Sequence, residues 1–294
     1  MKIRLLVLSI LAALLLGLGG AWVRLPGAFE LHVLDIGQGD ALLLRTPDGV
    51  NILVDGGPGQ AVLEELGAVL SPFDKRLNLV VLTHPHEDHV AGLVPVLERF
   101  EVDRVLLSAP EYNNEAYRAL MAFIAEEKIE YSFARADEDF EFGELNLDVL
   151  YPFEPSTGEE MANVNNASPV IKVTWRDTKI LLMGDAEMEV EEELLEAGVD
   201  LRADILKAGH HGSRNSSTLE FLEVVEAELM LISCGLGNDY GHPHAESLQK
   251  AEDLEMEVLR TDLDGRISLE FGGNYSWLRV IFAPRLRSFS SSRS

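Results

Sequence analysis

The 294-residue sequence predicts an α/β fold in which two β-sheets pack face to face with helices on their outer sides. Three observations carry this expectation. Alternating, strand-like patterns open and close the chain, and strands and helices interleave between them. Apolar residues form 47% of the sequence, so it can bury one large core or two small ones. Histidines and aspartates gather just after predicted strands, where α/β sheets build their sites.

The elements follow in order. Phe29–Leu34 alternates as a strand, Asp35–Asp40 turns through two glycines, and Ala41–Arg45 returns. After the turn Pro47-Asp48-Gly49, a third strand, Asn51–Val54, completes a β-meander and ends in Asp55-Gly56-Gly57. A helix is expected over Ala61–Leu70. The β-branched run Leu79–Leu82 reads as a buried strand that delivers Thr83-His84-Pro85-His86-Glu87-Asp88-His89. Next come a helix over Val90–Phe100 and a strand over Val102–Leu107. Glu115–Glu127 is an amphipathic helix, with Tyr117, Leu120, Met121 and Ile124 near one face. Strand Leu145–Tyr151 follows Phe142-Gly143, and a polar loop spans Glu154–Asn166. Strands Val170–Trp175 and Ile180–Met183 lead to Gly184-Asp185 and a helix over Met188–Glu196. Strand Asp204–Lys207 ends at Gly209-His210-His211-Gly212-Ser213. Helix Thr218–Glu226, strand Leu229–Ser233, loop Gly235–His244 and helix Ala245–Asp253 come next. Strands Val258–Thr261 and Arg266–Phe271 flank the turn Asp264-Gly265, and Trp277–Phe282 reads as a last edge strand.

The formal charge of −26 disfavours simple electrostatic capture of nucleic acid, whose binding surfaces are basic. It fits solubility in a salty or extracellular medium. A nucleic-acid substrate then requires metal ions and a local basic patch to offset repulsion. The single cysteine, Cys234, excludes an intrachain disulfide and a Cys-rich zinc site, and reads as a core residue. Lys2 and Arg4 precede the apolar run Leu5–Leu18, followed by small residues Gly19-Gly20-Ala21. Residues 1–23 are therefore a signal peptide or an uncleaved membrane anchor, and either places the bulk of the chain outside the cytoplasm. The domain is expected over 29–272. The tail 275–294 is Ser-rich and basic, with Arg279, Arg285, Arg287 and Arg293 and no acidic residue. It reads as disordered, or as a contact for a membrane surface or polyanion. The sequons at Asn166, Asn215 and Asn274 read as chance or site residues, since two fall inside site motifs.

Seven of the eight histidines lie in three clusters: His84, His86 and His89; His210 and His211; His242 and His244. Surface filler would scatter them. His84 and His86, two apart in an extended turn, can point the same way. Asp88 and His89 can address a second ion, Asp185 can bridge two ions, and His211 or His210 can add a ligand. Two ions about 3.5–4 Å apart clamp the attacking and leaving oxygens of a hydrolysis and lower the pKa of a shared water. His and carboxylate ligands suit Zn, Mn and Fe alike.

These motifs resemble the metallo-β-lactamase superfamily. More closely, Leu34-Asp35-Ile36-Gly37-Gln38-Gly39-Asp40, Asn166-Ala167-Ser168, Leu206-Lys207-Ala208-Gly209-His210-His211-Gly212-Ser213, Tyr240-Gly241-His242-Pro243-His244 and Arg260-Thr261-Asp262 with Gly265 resemble the hydrolase domain of ComEC-type DNA-uptake proteins. The resemblance runs from about Glu30 to Phe271. It implies an αββα sandwich and a di-metal centre of Zn or Mn. It implies one ion on His84, His86 and Asp185, and another on Asp88, His89, Asp185 and His211. Asp55, Asn166 and Ser168 would support these ligands, and His210, His242 and His244 would line the pocket to protonate a leaving group or hold a phosphate. Asp88 also belongs to the candidate catalytic set. Lys207 is either an electrostatic contributor there or a solvated strand residue. No histidine lies between His89 and His210, where many superfamily members carry a ligand; Asn165 and Asn166 stand there instead. The first ion is therefore expected to have fewer protein ligands. No multi-helix channel occurs in these residues, so the expected role is hydrolase rather than DNA pore.

The leading expectation is an extracytoplasmic di-metal phosphodiesterase or nuclease, anchored or secreted, in association with DNA-uptake machinery. The alternatives are a lactone, thioester or β-lactam hydrolase on the same centre, and a non-catalytic module that binds DNA or a partner.

Overall fold

The structure is a computed structural model and describes residues 27–272 together with the backbone of 278–282. The proposed leader, residues 1–23, lies outside the described residues, as does most of the basic tail. Among the described residues no helix is long and apolar enough to cross a membrane.

The first part of the chain builds one sheet. Its strands are β1 (Phe29–Val33), β2 (Leu42–Arg45), β3 (Asn51–Val54), β5 (Leu79–Leu82), β7 (Arg104–Leu107) and β8 (Glu130–Phe133). A two-residue pair, β4 (Arg76–Leu77) and β6 (Glu101–Val102), stands beside it. The second part builds the other sheet from β9 (Phe140–Phe142), β10 (Leu145–Tyr151), β11 (Val170–Trp175), β12 (Thr178–Leu182), β13 (Ile205–Lys207), β14 (Leu229–Ile232) and β15 (Glu257–Arg260). The chain then returns to the first sheet with β16 (Ile267–Phe271) and β17 (Leu278–Phe282). The sheet orders are β17-β16-β1-β2-β3-β5-β7-β8 and β15-β14-β13-β12-β11-β10-β9. The opening meander pairs antiparallel, whereas β3, β5, β7 and β8 are parallel, as are β12 to β15.

Burial explains why β5 reads as unbroken apolar sequence rather than as an alternation. Leu79 and Val81 face the space between the sheets, with Leu31, Leu44, Leu147, Val173 and Leu231. Val80 and Leu82 face outward, under Leu66, Leu93, Val96 and Leu120 of the covering helices. Both faces of such a strand are covered, so both demand apolar residues. The second sheet repeats the arrangement: Leu181, Leu206 and Met230 pack under Val190, Leu194, Phe221 and Leu222. The result is the αββα sandwich. Phe29 closes the central layer by stacking on Trp175 and Phe271, with both centroid distances 5.4 Å.

Several expected boundaries shift for physical reasons. The single helix over Val90–Phe100 is two short ones, Glu87–Val90 and Leu93–Leu97. Gly92 lies between them because a Cβ there would sit 1.9 Å from the Gly56 carbonyl oxygen. The strand over Val102–Leu107 divides into β6 and β7. Strands β8 and β9 were not expected: β8, Glu130-Tyr131-Ser132-Phe133, alternates over only four residues and is a partly exposed edge strand. The edge strand near the C-terminus is present as β17, so sheet pairing extends past residue 272.

Candidate metal centre

The carboxyl ends of β3, β5, β12, β13 and β14 converge at one edge of the sandwich. Asp55 follows β3 with φ of 60°. Its Oδ1 accepts from Thr83 N at 2.8 Å, and its Oδ2 accepts from Thr83 Oγ1 at 2.7 Å. Oδ2 also lies 2.8 Å from His89 Nδ1. A carboxylate acceptor fixes the tautomer: His89 donates from Nδ1 and turns Nε2 inward. His84 is held by two neighbours, with Nδ1 at 3.1 Å from Thr83 Oγ1 and Nε2 at 3.0 Å from His86 Nδ1. In His211, Nδ1 donates to the Ser233 carbonyl at 3.0 Å and again leaves Nε2 facing in.

Four imidazoles meet one carboxylate oxygen. Asp185 Oδ2 lies 3.3 Å from His89 Nε2, 3.4 Å from His211 Nε2, 3.7 Å from His84 Nε2 and 3.9 Å from His210 Nε2. Asp88 Oδ2 approaches His211 Nε2 at 3.4 Å and His89 Nε2 at 4.0 Å. Asp185 is held by its own N–H, which donates to Ser168 Oγ at 3.1 Å. Ligand atoms of His84, His89 and Asp185 lie within 4.8 Å of one another, as do those of Asp88, His89 and His211. The structure thus brings together five of the six residues expected to hold ions, His84, Asp88, His89, Asp185 and His211, whereas His86 meets the cluster through His84 Nε2. Asp55 and Ser168 touch these residues directly. Asn166 instead accepts from Glu187 N at 3.0 Å and touches no histidine of the cluster.

The electrostatics fit a cation. His89 Nε2, His211 Nε2, Asp185 Oδ1 and Asp40 Oδ1 are buried without a hydrogen-bond partner among the described residues. Buried polar atoms are almost always partnered, so a cluster of acceptors facing one another marks a place for a cation. Burial disfavours charge on His89 and His211, yet Asp185, backed by Asp55 and Asp40, holds both well above the usual imidazole range. Burial would raise Asp185, but His211 and His89 hold it well below the usual carboxylate range. His84 is driven well below the usual imidazole range by burial and by His89.

A second row of rings borders the centre. His242 lies 5.1 Å from His210 and 4.9 Å from His244, centroid to centroid. Burial, with His210 and His211, lowers His242 to about 4. His210 Nδ1 sits 2.7 Å from Glu187 Oε1. His244 Nδ1 accepts from Arg214 N at 3.1 Å. Lys207 is only 1% exposed, which removes the solvated alternative. Its Nζ donates to Asp40 Oδ2 at 2.7 Å and to the Ala208 carbonyl at 3.0 Å, so it faces the protein rather than a substrate.

Three participants were missed from sequence. Asp40 Oδ1 lies 3.3 Å from His211 Nδ1. Glu187 binds His210 and accepts from the side chains of Asn163 and Asn165. Asn165 Oδ1 is buried without a partner among the described residues, where a further histidine ligand was missing from the sequence. The available signal for Asp40 was its motif, Gly37-Gln38-Gly39-Asp40. Gly39 is required there: with φ of +122°, its added Cβ would meet the Asp88 carbonyl oxygen at 2.0 Å.

Residues 34–235 match the family model of the metallo-beta-lactamase superfamily. The chain is 29% identical over 259 residues to ComE operon protein 3 of Bacillus subtilis, a match covering 82% of this chain and 33% of that protein. It is 31% identical over 289 residues to competence protein ComA of Neisseria gonorrhoeae, covering 91% and 38%. With recombination protein 2 of Haemophilus influenzae the identity is 26% over 247 residues, covering 83% and 29%. The chain therefore spans about a third of the length of these relatives. Among solved structures, the metallo-beta-lactamase fold protein YhfI from Bacillus subtilis aligns with a TM-score of 0.53 at 14% identity, covering 80% of this chain and 96% of that one. CmlA, a diiron beta-hydroxylase from Streptomyces venezuelae, aligns with a TM-score of 0.54 at 18% identity, covering 83% and 54%. Likenesses at this identity show the fold. The chain belongs to the metallo-β-lactamase superfamily.

Proposed function

We propose that this superfamily member is a metal-dependent phosphodiesterase that acts on nucleic acid, with DNA the favoured substrate, outside the cytoplasm. The observation that carries the reading is the convergence of His84, His89, His210 and His211 on Asp185 Oδ2, with unpartnered acceptor atoms turned inward. His84, His86 and Asp185 would hold one ion; Asp88, His89, Asp185 and His211 would hold the other. Bound there, two divalent ions, Zn or Mn, supply an activated water and neutralise charge developing on a phosphoryl group.

The protein's own part is positioning. Asp55 and Thr83 lock His89, the Ser233 carbonyl locks His211, and Ser168 locks Asp185. The Asp88 side chain is partly exposed and so borders the open face of the cluster. His210, His242 and His244 present ring nitrogens along that border, to hold a phosphate or meet a leaving oxygen. Bound cations also offset the −26 charge that would otherwise repel a polyanion. The competence and recombination names of the relatives support DNA as substrate and the uptake machinery as partner. The extracytoplasmic location rests on the apolar run Leu5–Leu18 behind Lys2 and Arg4.

The test is metal-stimulated cleavage of single- and double-stranded DNA, RNA and a small phosphodiester, beside a lactone, a thioester and a β-lactam. Elemental analysis should find up to two ions per chain, and Asp185→Ala should reduce both metal content and phosphodiester cleavage. Absence of phosphodiester cleavage by metal-loaded protein, or undiminished activity in Asp185→Ala, refutes the reading. Turnover of a carbonyl substrate alone replaces it with acyl chemistry.

A further inference from the structure

The rings of the site form a row with an aromatic at each end. Tyr112 meets His86 edge-on at 5.3 Å. At the other end Tyr240 lies nearly parallel to His242, 5.8 Å away at 22°. His242 in turn lies 6.0 Å from His211, one of the residues facing Asp185. Tyr240 is therefore one imidazole removed from the metal-facing cluster. It is also 65% exposed, and Leu236 in the same loop is 69% exposed.

The loop that presents Tyr240 is braced by Asn238, and at its start Gln38 Oε1 accepts from Gly235 N at 3.1 Å. Asn238 Oδ1 accepts from Tyr240 N at 3.2 Å and from His242 N at 3.0 Å. Its Nδ2 donates to the Gly235 carbonyl at 2.9 Å and the His242 carbonyl at 2.6 Å. An aromatic ring held open to water on a braced loop is preorganised for a flat partner, because little ordering entropy remains to be lost on binding. Beyond His242, His244 accepts from the Arg214 backbone N–H, and the exposed Arg214 guanidinium pairs with Glu246 at 3.2 Å. An exposed aromatic face is the stacking element of single-strand recognition, on which bases lie whatever their sequence. A base inside a duplex has both faces occupied by its neighbours, so a base within a strand can lie on Tyr240 only when unstacked.

We infer that Tyr240 is the stacking platform for a nucleobase adjoining the scissile phosphate, which makes single-stranded nucleic acid the substrate class. The inference rests on the phosphodiesterase reading and specifies it.

The test compares a single-stranded oligonucleotide with an abasic strand of the same length and charge, using metal-loaded full-length protein, by fluorescence anisotropy for binding and by kcat/KM for cleavage. Wild-type protein should prefer the base-bearing strand. Tyr240→Ala should lower that preference by roughly 5- to 150-fold, the usual worth of one stacked base, and Tyr240→Trp should retain it. Cleavage with a preference that Tyr240→Ala leaves unmoved overturns this inference alone. A binding preference that falls in Tyr240→Ala without any cleavage supports the platform and refutes the hydrolase reading. Neither preference nor cleavage in the wild type overturns both.

Discussion

Replacing Lys207 by Met tests whether the buried charge pair beneath the candidate metal centre supports the fold. Lys207 Nζ and Asp40 Oδ2 lie 2.7 Å apart, and both side chains are 1% exposed. At an effective dielectric constant of about 20 their attraction is roughly 6 kcal/mol, most of it offset by the desolvation of two charges. Burial alone would raise the Asp40 pKa; Lys207, followed by His211, holds it down to about 2. Methionine keeps most of the stem and removes the cation, leaving Asp40 buried and charged. The expected loss is about 3–5 kcal/mol, which for a domain of this size lowers Tm by roughly 6–20 °C. Adding Asp40→Asn removes the stranded charge, so the double variant should recover most of the loss. Urea unfolding in EDTA, followed by circular dichroism, gives all four corners of the cycle without a contribution from bound metal. Lys207→Met within about 0.5 kcal/mol of wild type, or a double variant whose loss equals the sum of the singles, refutes a buried charge pair.

Two further outcomes concern the support of the site and the opening strand. Asp55→Ala strips acceptors from Thr83 and His89 and should weaken metal binding about 10- to 100-fold, measured by competition with a chromophoric chelator; unchanged affinity refutes the orienting role. His32 is satisfied as a neutral ring by Ser268 and Glu30, and burial lowers its pKa despite Glu30. Its contribution to stability is therefore complete above its unfolded pKa of about 6.5 and is lost as pH falls through the lower folded value. The stability of His32→Gln should depend less steeply on pH below about 6.5, in unfolding titrations against wild type; parallel slopes refute it.

The sequence exposed the strands and the ligands together because both leave short-range marks. Leu79–Leu82 had to be apolar on both faces, and three histidines followed it within a few positions. Asp185 was legible through the strand and glycine before it. Asp40 was not assigned a place because its partners, Lys207 and His211, lie far along the chain. Choosing between adjacent asparagines was beyond sequence reasoning for a related reason. Asn166 binds the Glu187 backbone, while Asn165 is the one that turns toward His210, at 3.4 Å. Their difference comes from the short 3-10 turn Val164–Ala167. Strand β8 went unread because its edge position lets solvent, rather than a core, choose half of its residues.

The return of the chain to its first sheet fixes where the ends of β1 and β17 lie relative to the site. Phe29 pairs with Phe271, and Val33 pairs with Ile267. Strands β1, β3 and β5 run the same way, so Val33 is at the metal edge and Phe29 is about 13 Å behind it, at 3.3 Å per residue. The start of β1 therefore lies at the rear of the sandwich. β17 runs back beside β16 and brings Phe282 opposite Ile267, at the front. The start of β1 and the end of β17 thus lie at opposite ends of the same sheet, and the end of β17 shares the edge that carries the clustered histidines.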